Sequence, residues 1–309
     1  MTELLPQGTS TWPSNFTAGL HAALRRRIPP QAEADAPALE ELSRDLVLAL
    51  EQGELTVALT PERLAAAQAS GWLEGDASPL LLQGDRLGWR RWLQAMEQVV
   101  AELVERAHAP LPEPVEAADP ELSDRLNAEQ CAAVRALDQA SVVLLSGGPG
   151  TGKTSTVVEI LARAEARHPG LRIGLAAPTG KAARRLGEAV MAQRAPLPCS
   201  TLHRWLEAGS RGFGRHRQRP LELDLLVIDE MSMLDLALTQ ALLEALPSGC
   251  RLLLVGDPAQ LPPVGSGAVW HRLQQPDVRG RFGAGAVHLE RTYRNRGALA
   301  QVAQQLRQG

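Results

Sequence analysis

The sequence predicts an α/β fold: a parallel sheet with helices on both faces, preceded by a mainly helical amino-terminal domain. Two observations carry this. After Asn127, short continuous apolar runs alternate with amphipathic stretches. The first of those runs ends in a glycine-rich loop that opens one of the amphipathic stretches. Strands buried on both faces read as continuous apolar runs, and their alternation with helices is the mark of a parallel sheet. The expected strands are 141–145, 172–176, 223–228, 251–255 and 286–289. The expected helices are 153–168, 181–193, 234–246 and 268–274.

Before this region the chain is organised differently. Residues 39–50 have helical apolar spacing, and 61–69 begin with Pro61, a good first-turn residue. Residues 80–82 and 87–89 flank Gly84-Asp85 as a short hairpin, and a helix is expected over 92–107. No catalytic constellation stands out, so residues 1–108 read as a packed helical docking domain. Residues 108–122 hold four prolines and four acidic residues, the composition of an extended linker, here placed at 109–125. The sheet-forming domain is then 126–309.

Composition narrows the class. The 309 residues are 44% hydrophobic and 22% charged, as in a water-soluble globular protein. No apolar run approaches the ~18 residues of a membrane span, and Met1–Ser10 lacks a signal-peptide pattern. Cys131, Cys199 and Cys250 lie far apart, which argues against a disulfide framework or zinc knuckle and fits a reducing cytoplasm. The net charge of -3 hides an asymmetry: residues 1–125 carry -10 and 126–309 carry +7. The basic half is the one expected to meet a polyanion. There are 30 arginines but only two lysines, Lys153 and Lys181, both at loop-to-helix junctions. A compact ammonium fits between phosphates where a guanidinium fork does not.

Three segments carry the chemistry. Gly147-Gly148-Pro149-Gly150-Thr151-Gly152-Lys153-Thr154 matches G-x-x-x-x-G-K-[ST] between a strand and a helix. Its glycines let backbone N–H groups turn around a phosphate, and the helix N-terminus adds its dipole. Lys153 would reach the β and γ phosphates of ATP, and the Thr154 hydroxyl would ligate Mg²⁺. In the second segment a strand ends at Asp229-Glu230. Asp229 would hold Mg²⁺, and Glu230 would polarise the attacking water. In the third, a strand ends at Gly256-Asp257 and Gln260 follows, placed to sense the γ-phosphate or orient water.

With these three in order, the chain resembles the superfamily 1 DNA helicases, and among them the RecD family, the alpha subunits of exodeoxyribonuclease V. Further segments carry the likeness. Leu126–Gln130 resembles the Q motif, which implies that Gln130 contacts adenine. Ala177–Ala183 resembles motif Ia and Thr201–Arg204 motif Ib, which implies DNA contacts at Thr179, Lys181, Thr201 and His203. Asp229–Met233 resembles motif II, and Gly256–Leu261 resembles motif III. Leu289–Arg294 resembles motif IV, which implies that Arg294 approaches the γ-phosphate. Leu82–Leu87, leading into Arg90–Trp92, resembles the family's docking domain. The resemblance implies a RecA-like ATPase domain, 5′ to 3′ movement on single-stranded DNA, RecB- and RecC-like partners, and a role in double-strand break repair and recombination.

Family motors have two RecA-like domains, and the sequence ends soon after motif IV. The expectation is that this polypeptide alone binds ATP, hydrolyses it slowly and does not unwind DNA. Three other readings stand beside it. The chain would be an ATP-stabilised interaction subunit with little catalysis of its own, a different superfamily 1 motor, or, least in keeping with the Ia and Ib segments, a kinase or GTPase. Trp205 is placed either to stack on a base or in the core. Arg211, Arg215, Arg217 and Arg219 either line a DNA path or form a solvated loop.

Overall fold

The computed structural model describes residues 36–111 and 126–293, except 74, 76, 77 and 264, together with 19, 22, 23, 26 and 124. Most of the expected linker, from 112 to 123, and Arg294 lie outside the described residues. The chain divides into two compact units. One holds residues up to Gln98 with Asp235–Ala237 and Pro263–Ala268; the other holds Val99–Leu234, Leu238–Pro262 and the residues from Val269 on.

In the first unit, α1 (Ala36–Glu51), β1 (Thr56–Ala58), α2 (Pro61–Ala69), β2 (Leu80–Gln83) and β3 (Arg86–Trp89) surround a core of Leu39, Leu42, Leu46, Trp72, Leu80 and Leu87. The Thr60 hydroxyl caps α2 by accepting from Arg63 N. The three strands form an antiparallel sheet in the order β1-β3-β2. Strand β1 was not expected, because its three residues, Thr56 to Ala58, show no clear alternation. Gly88 is required where β3 passes the chain: a Cβ there would lie 2.4 Å from the Leu55 carbonyl oxygen.

The chain continues through α3 (Arg90–Ala107), α4 (Ala128–Ala136), β4 (Val142–Gly147), α5 (Lys153–Arg167), β5 (Ile173–Ala177), α6 (Gly180–Met191), β6 (Cys199–Thr201) and α7 (Leu202–Trp205). A two-rung hairpin of β7 (Ala208–Gly209) and β8 (Gly212–Phe213) follows. Then come β9 (Leu225–Ile228), α8 (Leu236–Ala245), β10 (Arg251–Gly256), α9 (Val269–Gln274), α10 (Pro276–Arg279) and β11 (Ala286–Leu289). Six strands form one parallel sheet in the order β11-β4-β10-β9-β5-β6.

Every residue of β4, β5, β9 and β10 is buried. Side chains of a strand alternate between faces, so helices must cover both. On one face Val143, Leu145, Leu175, Val227, Leu253 and Val255 pack with residues of α4, α5 and α6. This is the parallel sheet, covered by helices, that the apolar runs predict. Parallel strands all end on one side, and that carboxyl edge is where such sheets bind ligands.

Candidate nucleotide and DNA site

The six strand ends divide the carboxyl edge by chemistry. The glycine-rich loop follows β4, Tyr293 lies beyond β11, Asp257 and Gln260 follow β10, and Asp229-Glu230 follow β9. Thr179 and Lys181 follow β5, and Thr201 and His203 stand at the end of the adjacent β6. The sheet order thus sets the glycine-rich loop and Tyr293 at one end, Thr179, Lys181, Thr201 and His203 at the other, and Asp229, Glu230 and Gln260 between them.

The loop after β4 takes left-handed backbone at Gly150 (φ +79°) and Gly152 (φ +88°), which L side chains resist. Gly147 is required by space: a Cβ there would lie 2.7 Å from Thr151 Oγ1 and 2.9 Å from the Leu289 carbonyl. Thr151 Oγ1 donates to the Gly148 carbonyl at 2.9 Å, which ties the loop to itself. Pro149, at the loop's crest, is exposed. Helix α5 begins at Lys153 with no side-chain cap from Gly152, so its first N–H groups are left for an anion. Lys153 Nζ donates to the carbonyls of Gly147 (2.6 Å) and Gly148 (3.0 Å), which holds the ammonium at the loop's mouth. The Thr154 side chain is exposed in the first turn.

Gly152 gives a sharp test of this cradle. A Cβ there would need positive φ and would lie 2.7 Å from Gln130 Nε2. Gly152→Ala is expected to cost about 1–2 kcal/mol, the cost of left-handed backbone for an L residue. Thermal unfolding should show the loss as a Tm lower by a few degrees. An unchanged Tm would mean that the loop relaxes to another conformation.

The carboxylates lie where β9 ends. Asp229 Oδ1 accepts from Glu230 N at 2.9 Å. Burial pushes the Asp229 carboxyl above its ordinary value; the Glu230 N–H opposes that shift, the Glu230 charge adds to it, and the Lys153 and Arg185 charges oppose it. Glu230 itself sits in left-handed backbone (φ 57°, ψ 44°), one of two such non-glycine residues among those described. That conformation is sparsely populated and tends to be kept at functional sites. Two residues on, the buried Ser232 hydroxyl donates to Gln260 Oε1 at 2.8 Å. This bond joins the segment after β9 to the segment after β10.

Exposed Thr154 and Asp229 offer a hydroxyl and a carboxylate, the hard oxygen donors that suit Mg²⁺. Among the described residues no group of three or more His, Cys, Asp or Glu is arranged for a metal.

On the other half of the edge, Thr179 and Thr201 are helix caps. Thr179 Oγ1 accepts from Ala182 N at 3.2 Å, and Thr201 Oγ1 accepts from Arg204 N at 3.3 Å. Lys181 and His203 are exposed beside them. Trp205 resolves to the core reading: its Nε1 donates to the Leu175 carbonyl at 2.9 Å, and its ring lies against Gly174. The loop arginines split. Arg215 and Arg219 donate to the Glu207 carboxylate, whereas Arg211 and Arg217 are exposed.

Tyr293 is a residue that sequence reasoning passed over in favour of Arg294. Its backbone N donates to the Gly150 carbonyl at 2.8 Å, and its ring is exposed. Arg291 stacks over that ring at 5.4 Å. Its hydroxyl accepts from Asn127 Nδ2 at 3.0 Å and donates to Gln130 Oε1 at 3.4 Å. Gln130 is only 4% exposed and closes a capping box: Asn127 Oδ1 accepts from Gln130 N, and Gln130 Oε1 accepts from Asn127 N. An Asn followed three residues later by Gln is the sequence signal for that box. Ser232 and Arg185 were also passed over; a serine and an arginine carry no spacing signal of their own.

Comparison with known proteins agrees with this geometry. Residues 130–266 match the family model of an AAA domain. The RecD subunit of the RecBCD enzyme of Mycolicibacterium smegmatis is 38% identical over 273 residues, which span 81% of this chain and 48% of that protein. The chain is RecD-like. The ATP-dependent RecD2 DNA helicase of Deinococcus radiodurans is 47% identical over 142 residues, 46% of this RecD-like chain and 19% of the relative. The chain thus spans less than half the length of these relatives. A crystal structure of Pif1 helicase from Candida albicans overlaps 59% of the chain and 43% of its own at 22% identity, with a TM-score of 0.41.

Proposed function

We propose that residues 126–309 are an ATP- and Mg²⁺-dependent motor domain of a DNA helicase subunit. In this reading the subunit moves 5′ to 3′ on single-stranded DNA and works with RecB- and RecC-like subunits in double-strand break repair. The acidic domain at 1–108 faces those partners, and 109–125 links it to the motor. No helix among the described residues is long and apolar enough to cross a membrane, and a cytoplasmic site suits DNA as the partner.

The observation that carries this reading is the strand order. It sets the phosphate loop and the exposed Lys181 and His203 on one edge, with Asp229, Glu230 and Gln260 between them. The N–H groups of the loop and of the first turn of α5 bind the phosphates, and Lys153 moves from its carbonyl partners to the β and γ oxygens. Thr154 and Asp229 would hold Mg²⁺, which would offset phosphate charge. Glu230 accepts the proton of the attacking water. Gln260 reads the γ-phosphate. Its bond to Ser232 carries that reading to the segment after β9, beside the DNA end of the sheet. Arg294 is assigned to the γ-phosphate by resemblance alone.

Lys181→Ala tests the DNA half. Each phosphate contact on single-stranded DNA adds about 0.7 to the slope of log K against log salt. The variant should bind single-stranded DNA more weakly at low salt, with a slope smaller by about 0.7, and should keep ATP affinity. An unchanged slope would remove Lys181 from the DNA path.

A further inference from the structure

We infer that Arg279 is a positioning residue for the phosphate loop and acts on it through the Ser146 hydroxyl. This rests on the proposed reading, in which the loop after β4 binds the phosphates of ATP.

Strand β4 is apolar from Val142 to Leu145 and then carries Ser146, which is fully buried. A buried hydroxyl has to be paired, and this one has a single hydrogen and two lone pairs to place. Arg279 Nη1 can only donate, and it donates to Ser146 Oγ at 3.0 Å. The hydroxyl hydrogen is left for β11, where the Val287 carbonyl lies at 3.1 Å and His288 Nδ1 at 2.9 Å. Ser146 is thus held from two sides, by the last residue of α10 and by β11, immediately before the loop.

That position gives the pairing a consequence. Ser146 and Gly147 share a peptide group, and the Gly147 carbonyl is one of the two that hold the Lys153 ammonium. Gly147 is packed so closely on Thr151 and the Leu289 carbonyl that a Cβ would not fit. A turn of the chain at Ser146 therefore shifts the support of Lys153, and displacements of about 1 Å are costly at a reacting centre.

A guanidinium costs stability in a role of packing alone. Arg279 is half-buried, and burial lowers its pKa. It donates to two neutral groups, the Ser146 hydroxyl and Gln274 Oε1. Among the described residues no carboxylate pairs with it, whereas Arg272 on α9 is paired with Asp277. A charge buried without an opposite charge is destabilising. What the charge adds here is strength, since a hydrogen bond from an ionised donor is about twice as strong as a neutral one.

Calorimetric titration of Mg-ATP into the wild-type chain, Ser146→Ala, Arg279→Gln, the double variant and Arg279→Lys tests the link. Each of the first two variants should bind about fivefold more weakly, the size of one net hydrogen bond. The double variant should be no weaker than either, because both changes break one contact. Arg279→Lys keeps a charged donor and should bind within about twofold of wild type. Losses that multiply to about 25-fold in the double variant would overturn the path through Ser146. Lysine as weak as glutamine would overturn the need for a charged donor. A lower Tm with unchanged Kd in Ser146→Ala and Arg279→Gln would make the contact packing alone, which overturns the inference and leaves the proposed function standing. Ser146→Ala keeps the arginine, so its Kd decides alone should Arg279→Gln fail to fold. Failure of the wild-type chain to bind Mg-ATP would overturn both the inference and the reading on which it rests.

Discussion

Lys153→Ala is expected to lower ATP turnover about 10²–10³-fold, the usual loss when one preorganised charge is removed from a reacting centre. The reason is position. Lys153 is the first residue of α5, and its ammonium is held on the Gly147 and Gly148 carbonyls at the loop's mouth. From there it turns to the β and γ oxygens and meets the charge that develops on them. The fold should persist, because the loop is also held by Thr151 on Gly148 and by Tyr293 N on Gly150. Lys153→Arg makes the test sharper. The larger planar fork does not enter a space shaped for a point charge, so it should restore little activity. Turnover measured at saturating ATP, on the protein with its partners, decides it. Activity near wild type in either variant would remove Lys153 from the chemistry.

Glu230→Gln should cost turnover about 10²–10⁴-fold, the usual contribution of a positioned general base. ATP affinity should stay within about threefold. Glutamine keeps the shape and adopts the same left-handed backbone at about the same cost, so Asp229 keeps the Glu230 N–H that steadies its buried carboxyl. The split is what identifies the role. Loss of turnover with binding intact marks an interaction made in the transition state. Equal loss of both would make Glu230 part of the binding site.

Much of this was legible before any coordinates. The five apolar runs after Asn127 became five strands of the sheet, because a strand buried on both faces has to be apolar throughout. The sixth, β6, was not legible: its three residues, Cys199 to Thr201, are half-buried at the sheet's edge and carry no apolar run. The glycine-rich turn between β4 and α5 and the place of Asp229-Glu230 at the end of β9 were legible because backbone geometry restricts the residues that serve there. The spacing of Asn127 and Gln130 was legible, but not the bond that Gln130 Oε1 accepts from the Tyr293 hydroxyl. That bond depends on Tyr293, 163 residues away in the chain. The Ser232–Gln260 link was hidden for the same reason, since its partners come from different strand ends. Thr179 and Thr201 carry helix caps in addition to any DNA contact, a role that their neighbours in sequence leave open.

The central claim is that the loop at Gly147–Thr154 is a working nucleotide cradle. Calorimetric titration of Mg-ATP into the wild-type chain and into Lys153→Ala tests it most directly. Saturable binding by the wild type with Kd below about 1 mM, the upper end of usual enzyme affinities, and at least tenfold weaker binding by the variant is the expected result. No saturable binding by the wild type, or equal binding by both, would contradict it.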